Sequence, residues 1–148
     1  MTFVKTMNVR WSDLGADHSI VPATYAAYAM NTGVEWLRSV GCTVEQLFDL
    51  GVGSVLLKEQ TEYYQELSLG EEVNVQAQFA GSSTDNAKWK FVYEMYNSQN
   101  QLVAKHVVYG AWVNSTTKKI ATPPQKVLGC MAKIPHTDDF EIITTTRH

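Results

Sequence analysis

The chain has 148 residues, of which 45% are hydrophobic, and this size allows one domain that buries roughly two thirds of its unfolded surface. Its formal net charge of −3 lacks the positive footprint of a DNA- or RNA-binding protein. No apolar stretch reaches the roughly 18 residues of a membrane span, and the N-terminus lacks the features of a secretory signal, so we expect a cytoplasmic protein.

The first predicted elements are a strand and a long helix. β-branched and aromatic residues predict a strand over residues 3–11, and Pro22 suits the first turn of a helix because its missing amide would be unpaired there anyway. Between residues 22 and 40 the helix is apolar on nearly all sides, and its first charge is Glu35. Such a helix must be enclosed, and the β-like segments that follow predict enclosure by a curved sheet.

Four further strands are predicted after this helix. A short helix over residues 44–50 is followed by a strand over residues 52–67. Apolar and polar residues then alternate with a period of two over residues 73–79 and 87–96, and a turn leads into a strand over residues 102–113. The last three strands predict an antiparallel meander in an α+β fold.

The C-terminal part has a different composition. It is rich in Thr, Lys and Pro, and Pro123 and Pro124 exclude the interior of a regular strand or helix there. A last short element is predicted over residues 127–134, and the end is expected to be loose. We therefore predict a single domain over residues 1–148, with a core up to about residue 124 and an extension over residues 125–148.

Neither a metal site nor a disulfide framework is predicted. The chain has only Cys42 and Cys130, and neither has a second cysteine or a histidine at metal-ligand spacing. Each lies among apolar neighbours, where a small buried thiol is the commoner occupant, so we assign neither a catalytic role.

Several sequence features follow one another in an order typical of one family. They are Arg10-Trp11-Ser12-Asp13, Tyr25, Glu35-Trp36-Leu37-Arg38, Tyr63 with Leu69-Gly70-Glu71-Glu72-Val73, and Lys119-Ile120-Ala121-Thr122-Pro123-Pro124. With them the chain resembles the 4-hydroxybenzoyl-CoA thioesterase-like branch of the hotdog superfamily, close to the acyl-CoA thioesterases. The resemblance implies an antiparallel five-stranded sheet wrapped around one long central helix.

The resemblance also implies an activity. Members of that branch hydrolyse thioesters of coenzyme A, need no further cofactor, and generally form homodimers or homotetramers whose active sites lie between subunits. A fatty or aromatic acyl-CoA is therefore the expected substrate.

Two residues at the start of the helix depart from the family pattern. The family loop reads Asp, any residue, Asp, and its second carboxylate acts as nucleophile or as base for water, but Gly15 holds that place here. The amide that polarises the thioester carbonyl belongs to the residue three before the tyrosine, which here is Pro22 and has no amide hydrogen. The remaining donors are the amides of Ala23 and Thr24 in the first turn, with Tyr25 beside them.

The same loop holds three candidate catalytic residues. Asp17 is the nearest substitute for the missing carboxylate, and His18 can serve as a base or as a donor to the thioester oxygen. A solvated or capping role for Asp17 and an exposed imidazole at His18 are the alternatives. Asp13 precedes them, and tying the loop through backbone amides is its more typical role.

Lysines are candidates for binding the phosphates of CoA. Lys88 and Lys90 are preferred because they stand at a strand start, near the edge where nucleotides lie in the relatives, and Lys58 is a further candidate. A solvated strand face explains these charges equally well. Glu35 lies several turns from the oxyanion donors, so we expect it to have a structural or interface role.

The leading hypothesis is an acyl-CoA thioesterase in which Asp17, with His18, directs water at a thioester bound over the helix N-terminus. The rival is a hotdog domain that binds acyl-CoA or merely assembles, and Gly15 and Pro22 favour it. Dehydration of a hydroxyacyl thioester by Glu35 ranks below both.

Overall fold

The computed structural model of the protein describes residues 2–144. Along these residues the elements are β1 (Phe3–Asn8), α1 (Pro22–Ser39), α2 (Val44–Asp49), β2 (Val52–Tyr63), β3 (Glu72–Ser83), β4 (Lys88–Tyr96), β5 (Leu102–Asn114), α3 (Gln125–Met131) and β6 (His136–Ile143). A short 3-10 turn over Trp11–Asp13 lies between β1 and α1. Of the helices described, none is long and apolar enough to cross a membrane.

The strands form one sheet in the order β1, β3, β4, β5, β2. Neighbours in this order are antiparallel, and β3, β4 and β5 form the predicted meander. β6 pairs parallel with the C-terminal half of β3, on the edge that β1 covers along the other half. α1 packs against one face of the sheet, where it contacts β1, β3 and β5. This is the hotdog architecture that the resemblance implies, in an α+β fold.

The sheet face beneath α1 forms the core. Alternate residues of β3 are almost fully buried there, as the period of two predicts. On β4 the rings of Trp89 and Phe91 stack at 4.5 Å, and Phe91 meets Trp36 of α1 edge-on at 5.1 Å. Tyr93 reaches α1 at Gly33, where its hydroxyl leaves no room for a side chain. Aromatic rings of β4 therefore hold α1 against the sheet.

One side of α1 is exposed, which corrects the expectation that the helix is enclosed all round. Its buried residues are Tyr25, Tyr28, Ala29, Thr32 and Trp36. Between them, Met30 is 61% exposed and Val34 is 43% exposed. The sheet of a single chain therefore covers α1 on one side only, and apolar side chains remain on the other.

Several elements differ from the predictions. β1 ends at Asn8 rather than at residue 11, because the Asp13 carboxylate accepts the Arg10 amide and the chain turns there. β2 ends at Tyr63 rather than at residue 67. The short element predicted over residues 127–134 is α3. The predicted count of five strands is wrong, since the end that was expected to be loose forms β6, which pairs with an edge that β1 leaves free. The last part of that extension, residues 145–148, lies outside the described residues.

Candidate active site

The loop before α1 is a small hairpin held by backbone hydrogen bonds. The Gly15 amide donates to the Ser19 carbonyl at 2.8 Å, and the Val21 amide donates to the Asp13 carbonyl at 3.0 Å. His18, near the tip, has a positive φ of 66°, a left-handed conformation uncommon for residues other than glycine. The two ends of the hairpin, Asp13 and Val21, therefore meet at the start of α1.

Asp13 lies at the base of this hairpin and is only 4% exposed. Its carboxylate accepts the Arg10 amide at 2.9 Å, the Arg10 guanidinium at 3.2 Å and the Tyr28 hydroxyl at 2.7 Å. Burial raises the pKa of the Asp13 carboxyl, but the hydrogen bonds from Tyr28 and Arg10 together hold that pKa below its ordinary value. Asp13 is therefore an ionised anchor whose oxygens are already occupied by protein donors.

Asp17 is exposed and has fewer partners. The Ser19 hydroxyl donates to its Oδ1 at 2.7 Å and the Ser19 amide donates to the same atom at 3.2 Å, and these bonds lower the pKa of the carboxyl. The His18 ring lies 5.8 Å from the Trp11 ring, centroid to centroid. Asp17 and His18 both border a cavity of about 400 Å³ that is also lined by Glu66.

The first turn of α1 offers one free amide. The Thr24 amide donates to the Val21 carbonyl at 2.9 Å, and the Thr24 hydroxyl donates to the Asp13 carbonyl at 3.3 Å. Within residues 2–144 no such acceptor is found for the Ala23 amide, since Pro22 before it starts the helix. Ala23 is therefore a donor of this turn that remains available to a ligand oxygen.

A second cavity, of about 370 Å³, adjoins this turn. It is bordered by Pro22, Tyr25 and Tyr63, and the last two rings meet edge-on at 5.1 Å. Burial raises the pKa of Tyr25, and the nearby Tyr63 and Glu66 add to this effect. The two cavities share Ser19, Glu66 and Leu67, so the hairpin tip and the helix start flank a common wall.

Glu66 is a site residue that the sequence reasoning did not identify. It follows β2 by three residues, is exposed, and lines both cavities. Tyr63 and Leu69, which carried part of the family resemblance, lie three residues before and three residues after it in the sequence. The site thus contains a second carboxylate that comes from a different part of the chain than Asp17.

A larger groove runs beneath α1, away from its first turn. Its volume is about 630 Å³, and it is lined mostly by apolar side chains of α1, α2 and the sheet. Its polar atoms include those of Glu59 and His106, whose Oε1 and Nε2 lie 3.4 Å apart, and the His106 Nδ1 lies 2.6 Å from the Thr61 hydroxyl. Because the carboxylate can only accept, Nε2 bears the hydrogen and Nδ1 accepts from Thr61.

His106 in this groove is 2% exposed. Burial lowers the pKa of the imidazole, and the neighbouring Glu59 opposes this only in part. His106 is therefore neutral at physiological pH, and it forms part of the groove floor rather than of the loop site.

The three candidate CoA lysines lie on the other face of the sheet. Lys90 and Lys58 each pair with Tyr109 across the sheet, and both ammonium groups lie over its ring, at 5.4 and 5.7 Å from the centroid. The Lys90 Nζ also lies 3.4 Å from a Glu141 oxygen. Lys88 follows the same alternation on β4 as Lys90. Within one chain these lysines are therefore not brought together with the helix start.

The other residues singled out in the sequence lie away from the loop site. Glu35 is paired with Lys5 at 3.8 Å on the side of α1 that faces β1. Cys42 and Cys130 are both buried free thiols, and burial raises the pKa of Cys42 to about 11. At neutral pH Cys42 is a protonated thiol, which is a poor nucleophile.

The loop and helix start together offer the parts that acyl-group chemistry needs. The ionised Asp17 has an oxygen, Oδ2, that no donor among the described residues occupies. The Ala23 amide at a helix N-terminus can donate to a developing negative charge on oxygen. The hairpin thus supplies a carboxylate and the helix start supplies an amide donor.

Solved structures of low sequence identity share this fold. A hypothetical protein from Staphylococcus aureus in complex with CoA has a TM-score of 0.81 at 18% identity, with 100% of this chain and 90% of that chain covered. A hypothetical protein from Aquifex aeolicus has a TM-score of 0.79 at 24% identity, with 86% and 98% covered. A 1,4-dihydroxy-2-naphthoyl-CoA thioesterase from Synechocystis has 0.81 at 16% identity, with 93% and 100% covered. No curated protein sequence matches the chain.

The family is shown by a sequence model rather than by these likenesses, which at such identities show the fold alone. The model of the thioesterase-like superfamily matches residues 9–130. That range includes the hairpin, α1 and the strands β2 to β5, and so it contains both cavities at the helix start. The chain belongs to the thioesterase-like superfamily.

Proposed function

We propose that the protein hydrolyses acyl-CoA thioesters at the N-terminus of α1. One observation carries this proposal: an ionised Asp17 with an unoccupied Oδ2 and the free Ala23 amide belong to the hairpin and the helix turn that flank a shared wall. Membership of the thioesterase-like superfamily supports the reaction class. The S. aureus relative in complex with CoA supports CoA as the thiol part of the substrate.

The proposed reaction uses Asp17 as a general base. Its Oδ2 takes a proton from a water molecule, and the water oxygen attacks the thioester carbon. The negative charge that develops on the carbonyl oxygen is stabilised by the Ala23 amide and by the N-terminal end of the helix dipole. The C–S bond then breaks, and the CoA sulfur takes up the proton held by Asp17, so that the free thiol and the carboxylic acid form and the Asp17 carboxylate is regenerated. His18, beside Asp17 at the cavity, is placed to donate to the thioester or to assist the proton transfer.

A second copy of the chain is proposed to complete the site. β2 is a free edge of the sheet, and it carries exposed apolar residues, among them Leu56 and Leu57. An exposed apolar edge strand is a typical pairing site for another chain. Because β2 ends at Tyr63, a partner on this edge would lie beside the cavity at the helix start. Sedimentation equilibrium measures whether the protein is the expected homodimer or homotetramer.

A role of the candidate lysines in CoA binding is easier to explain in this assembly than in a single chain. Lys58, Lys88 and Lys90 lie on the sheet face opposite α1, so they cannot serve the helix start of their own chain. Their ammonium groups remain candidates for the CoA phosphates of a substrate held by a neighbouring copy.

Thiol release from a panel of acyl-CoAs tests the catalytic assignment. We expect wild type to turn over, and Asp17→Asn to lower kcat/KM by about a hundredfold or more, the usual contribution of general base catalysis. Asp138→Asn, at an exposed position on β6, is the matched control and should behave as wild type. Equal rates for Asp17→Asn and wild type would remove Asp17 from the mechanism, and loss in Glu66→Gln instead would assign the carboxylate role to Glu66.

A second candidate function is binding of acyl-CoA without hydrolysis. Gly15 at the place of the family carboxylate and Pro22 at the place of the oxyanion donor favour it. Calorimetric binding of an acyl-CoA by wild type with no thiol release would establish this function and exclude the thioesterase.

A further inference from the structure

The apolar space beneath α1 continues beyond the groove described above. A separate cavity of about 520 Å³, the far cavity, lies at the C-terminal end of β3, under α3 and β6. Its lining includes Phe79, Met131 and Phe140. The groove and this far cavity have two lining residues in common, Trp89 and Trp112. The two indole rings, whose centroids are 6.3 Å apart, therefore form the wall between the two spaces.

Trp89 is fixed in this wall on several sides. Its ring stacks on Phe91 at a centroid distance of 4.5 Å with 17° between the planes. Its six-membered ring lies against Gly110, its direct partner on β5, and a Cβ at position 110 would overlap the indole. Trp89 is only 7% exposed. The position of the wall is therefore set by the backbone of β5 and by the neighbouring ring, and not by a mobile loop.

The groove in front of this wall has the shape of a pocket for an extended chain. It follows α1 from Ala26 to Leu37, a length of roughly 16 Å at the rise of an α-helix. Ala26 and Ala29 line it from the helix side, and such small residues leave space between helix and sheet, whereas at Gly33 the Tyr93 hydroxyl occupies that space. It begins within a turn of Tyr25, which lines the cavity at the helix start. A groove of this length with a mostly apolar lining favours an extended apolar chain over a compact ring.

We propose that Trp89 is the end wall of an acyl pocket and that it sets the longest straight-chain acyl group the protein accepts. This inference rests on the proposed function, because the thioester is placed at the start of α1 and the acyl chain runs from there beneath the helix. The chain end meets the indole of Trp89, and the far cavity behind the indole stays out of its reach. The favoured substrates are then unbranched aliphatic acyl-CoAs up to a sharp length limit.

Two chain-length series test this wall. One measures kcat/KM for straight-chain saturated acyl-CoAs, and the other measures the affinity of the matching free fatty acids by calorimetry. For wild type, each added methylene should strengthen the measured value about fourfold until the chain reaches the indole, and further methylenes should bring no gain. In Trp89→Leu the rise should continue to longer chains, because the far cavity becomes accessible. Trp89→Phe should give a smaller extension in the same direction.

Phe79→Leu is the matched control, since it enlarges the far cavity and leaves the indole in place. Its length limit should equal that of wild type. Thermal unfolding of every variant shows whether it is folded. If Trp89→Leu does not fold, Trp89→Phe still tests the proposal. A length limit that stays the same in every folded Trp89 variant would overturn the proposal.

The fatty acid series separates this inference from the proposed function. If wild type releases no thiol from any acyl-CoA, the thioesterase assignment fails, yet a fatty acid affinity that rises with length and stops at a limit moved by Trp89→Leu still supports the wall. Thiol release without any rise of fatty acid affinity along the series leaves the thioesterase in place and overturns the acyl pocket.

Discussion

The two halves of the loop before α1 hold their carboxylates in opposite ways. In the first half, Asp13 is buried and receives hydrogen bonds from the Arg10 amide, the Arg10 guanidinium and the Tyr28 hydroxyl. In the second half, Asp17 is exposed, and among residues 2–144 its carboxylate receives hydrogen bonds from Ser19 alone, both at the same oxygen. The difference indicates that Asp13 has no free capacity for a substrate, whereas Asp17 keeps one oxygen for chemistry.

The first half of the loop, which Asp13 anchors, also positions α1. The carbonyl of Asp13 accepts the Val21 amide and the Thr24 hydroxyl, so a single residue ties the loop to the start of α1 from both its backbone and its side chain. Ala23, the proposed oxyanion donor, lies between those two contacts along the chain. We therefore expect the rigid first half to hold Ala23 in position for the reaction proposed at Asp17.

Removal of the anchor should have the largest effect on stability. Asp13→Ala leaves the buried Tyr28 hydroxyl and the partly buried Arg10 amide without their acceptor, and an unsatisfied buried group costs about 1–3 kcal/mol. We expect the free energy of unfolding to fall by about 2–4 kcal/mol, and the midpoint of thermal unfolding by roughly 6 °C or more. Urea denaturation and calorimetry measure these two quantities.

The matched control for this variant is Asp17→Ala. Asp17 is exposed and bonded only to Ser19, so its removal should leave the unfolding midpoint at the wild-type value while turnover is lost. If Asp17→Ala destabilises the protein as much as Asp13→Ala, the contrast between the two halves is wrong.

Tyr28→Phe should have a smaller effect on the same network. The substitution removes one hydrogen bond to the Asp13 carboxylate, at 2.7 Å, and leaves those from Arg10 in place. A hydrogen bond to a charged group contributes about 1.5–3 kcal/mol, so a loss near the lower value is expected because the packing of the ring is unchanged. In a double-mutant cycle, Tyr28→Phe in the Asp13→Ala background should cost clearly less than in wild type, and a full additive cost would show that the two side chains do not act together.

The sequence predicted those parts of the fold whose signals lie within the element itself. Pro22 marked the start of α1, and the alternation over residues 73–79 marked β3, because both signals lie within the element itself. β6 was not predictable in this way. Its residues include the polar run Thr137, Asp138 and Asp139, and it becomes a strand by pairing with β3, more than fifty residues earlier in the chain.

The candidate site also contains residues that are close in sequence and residues that only the fold brings together. Asp17 and His18 could be proposed from the sequence because the loop and helix that carry them are continuous in sequence. Glu66 joins them only through the fold, and so does the floor of the groove, where Thr61 and His106 are 45 residues apart and become direct partners across β2 and β5. The wall at Trp89 likewise depends on Gly110 of a neighbouring strand, which periodicity along β4 alone does not reveal.

The pH dependence of stability tests whether Asp13, the anchor of the first half of the loop, is ionised in the fold. The hydrogen bonds from Tyr28 and Arg10 hold the folded-state pKa of Asp13 below its ordinary value although burial alone would raise it. A carboxyl group with a lowered folded-state pKa contributes its full stabilisation above the ordinary pKa of about 4, and it loses that contribution as the pH falls through the folded-state pKa. Asp13→Asn has no charge to lose at any pH.

The difference in unfolding free energy between wild type and Asp13→Asn should therefore be constant from neutral pH down to about pH 4 and should shrink below it. Urea denaturation of both proteins over a series of pH values measures this difference. Asp17→Asn provides the comparison, since the pKa of Asp17 is lowered by Ser19 at the protein surface and not by a buried network. A gap for Asp13→Asn that widens in acid would mean that the carboxyl is held in its protonated form in the fold, and Asp13 would then be a donor and not the ionised anchor of the loop.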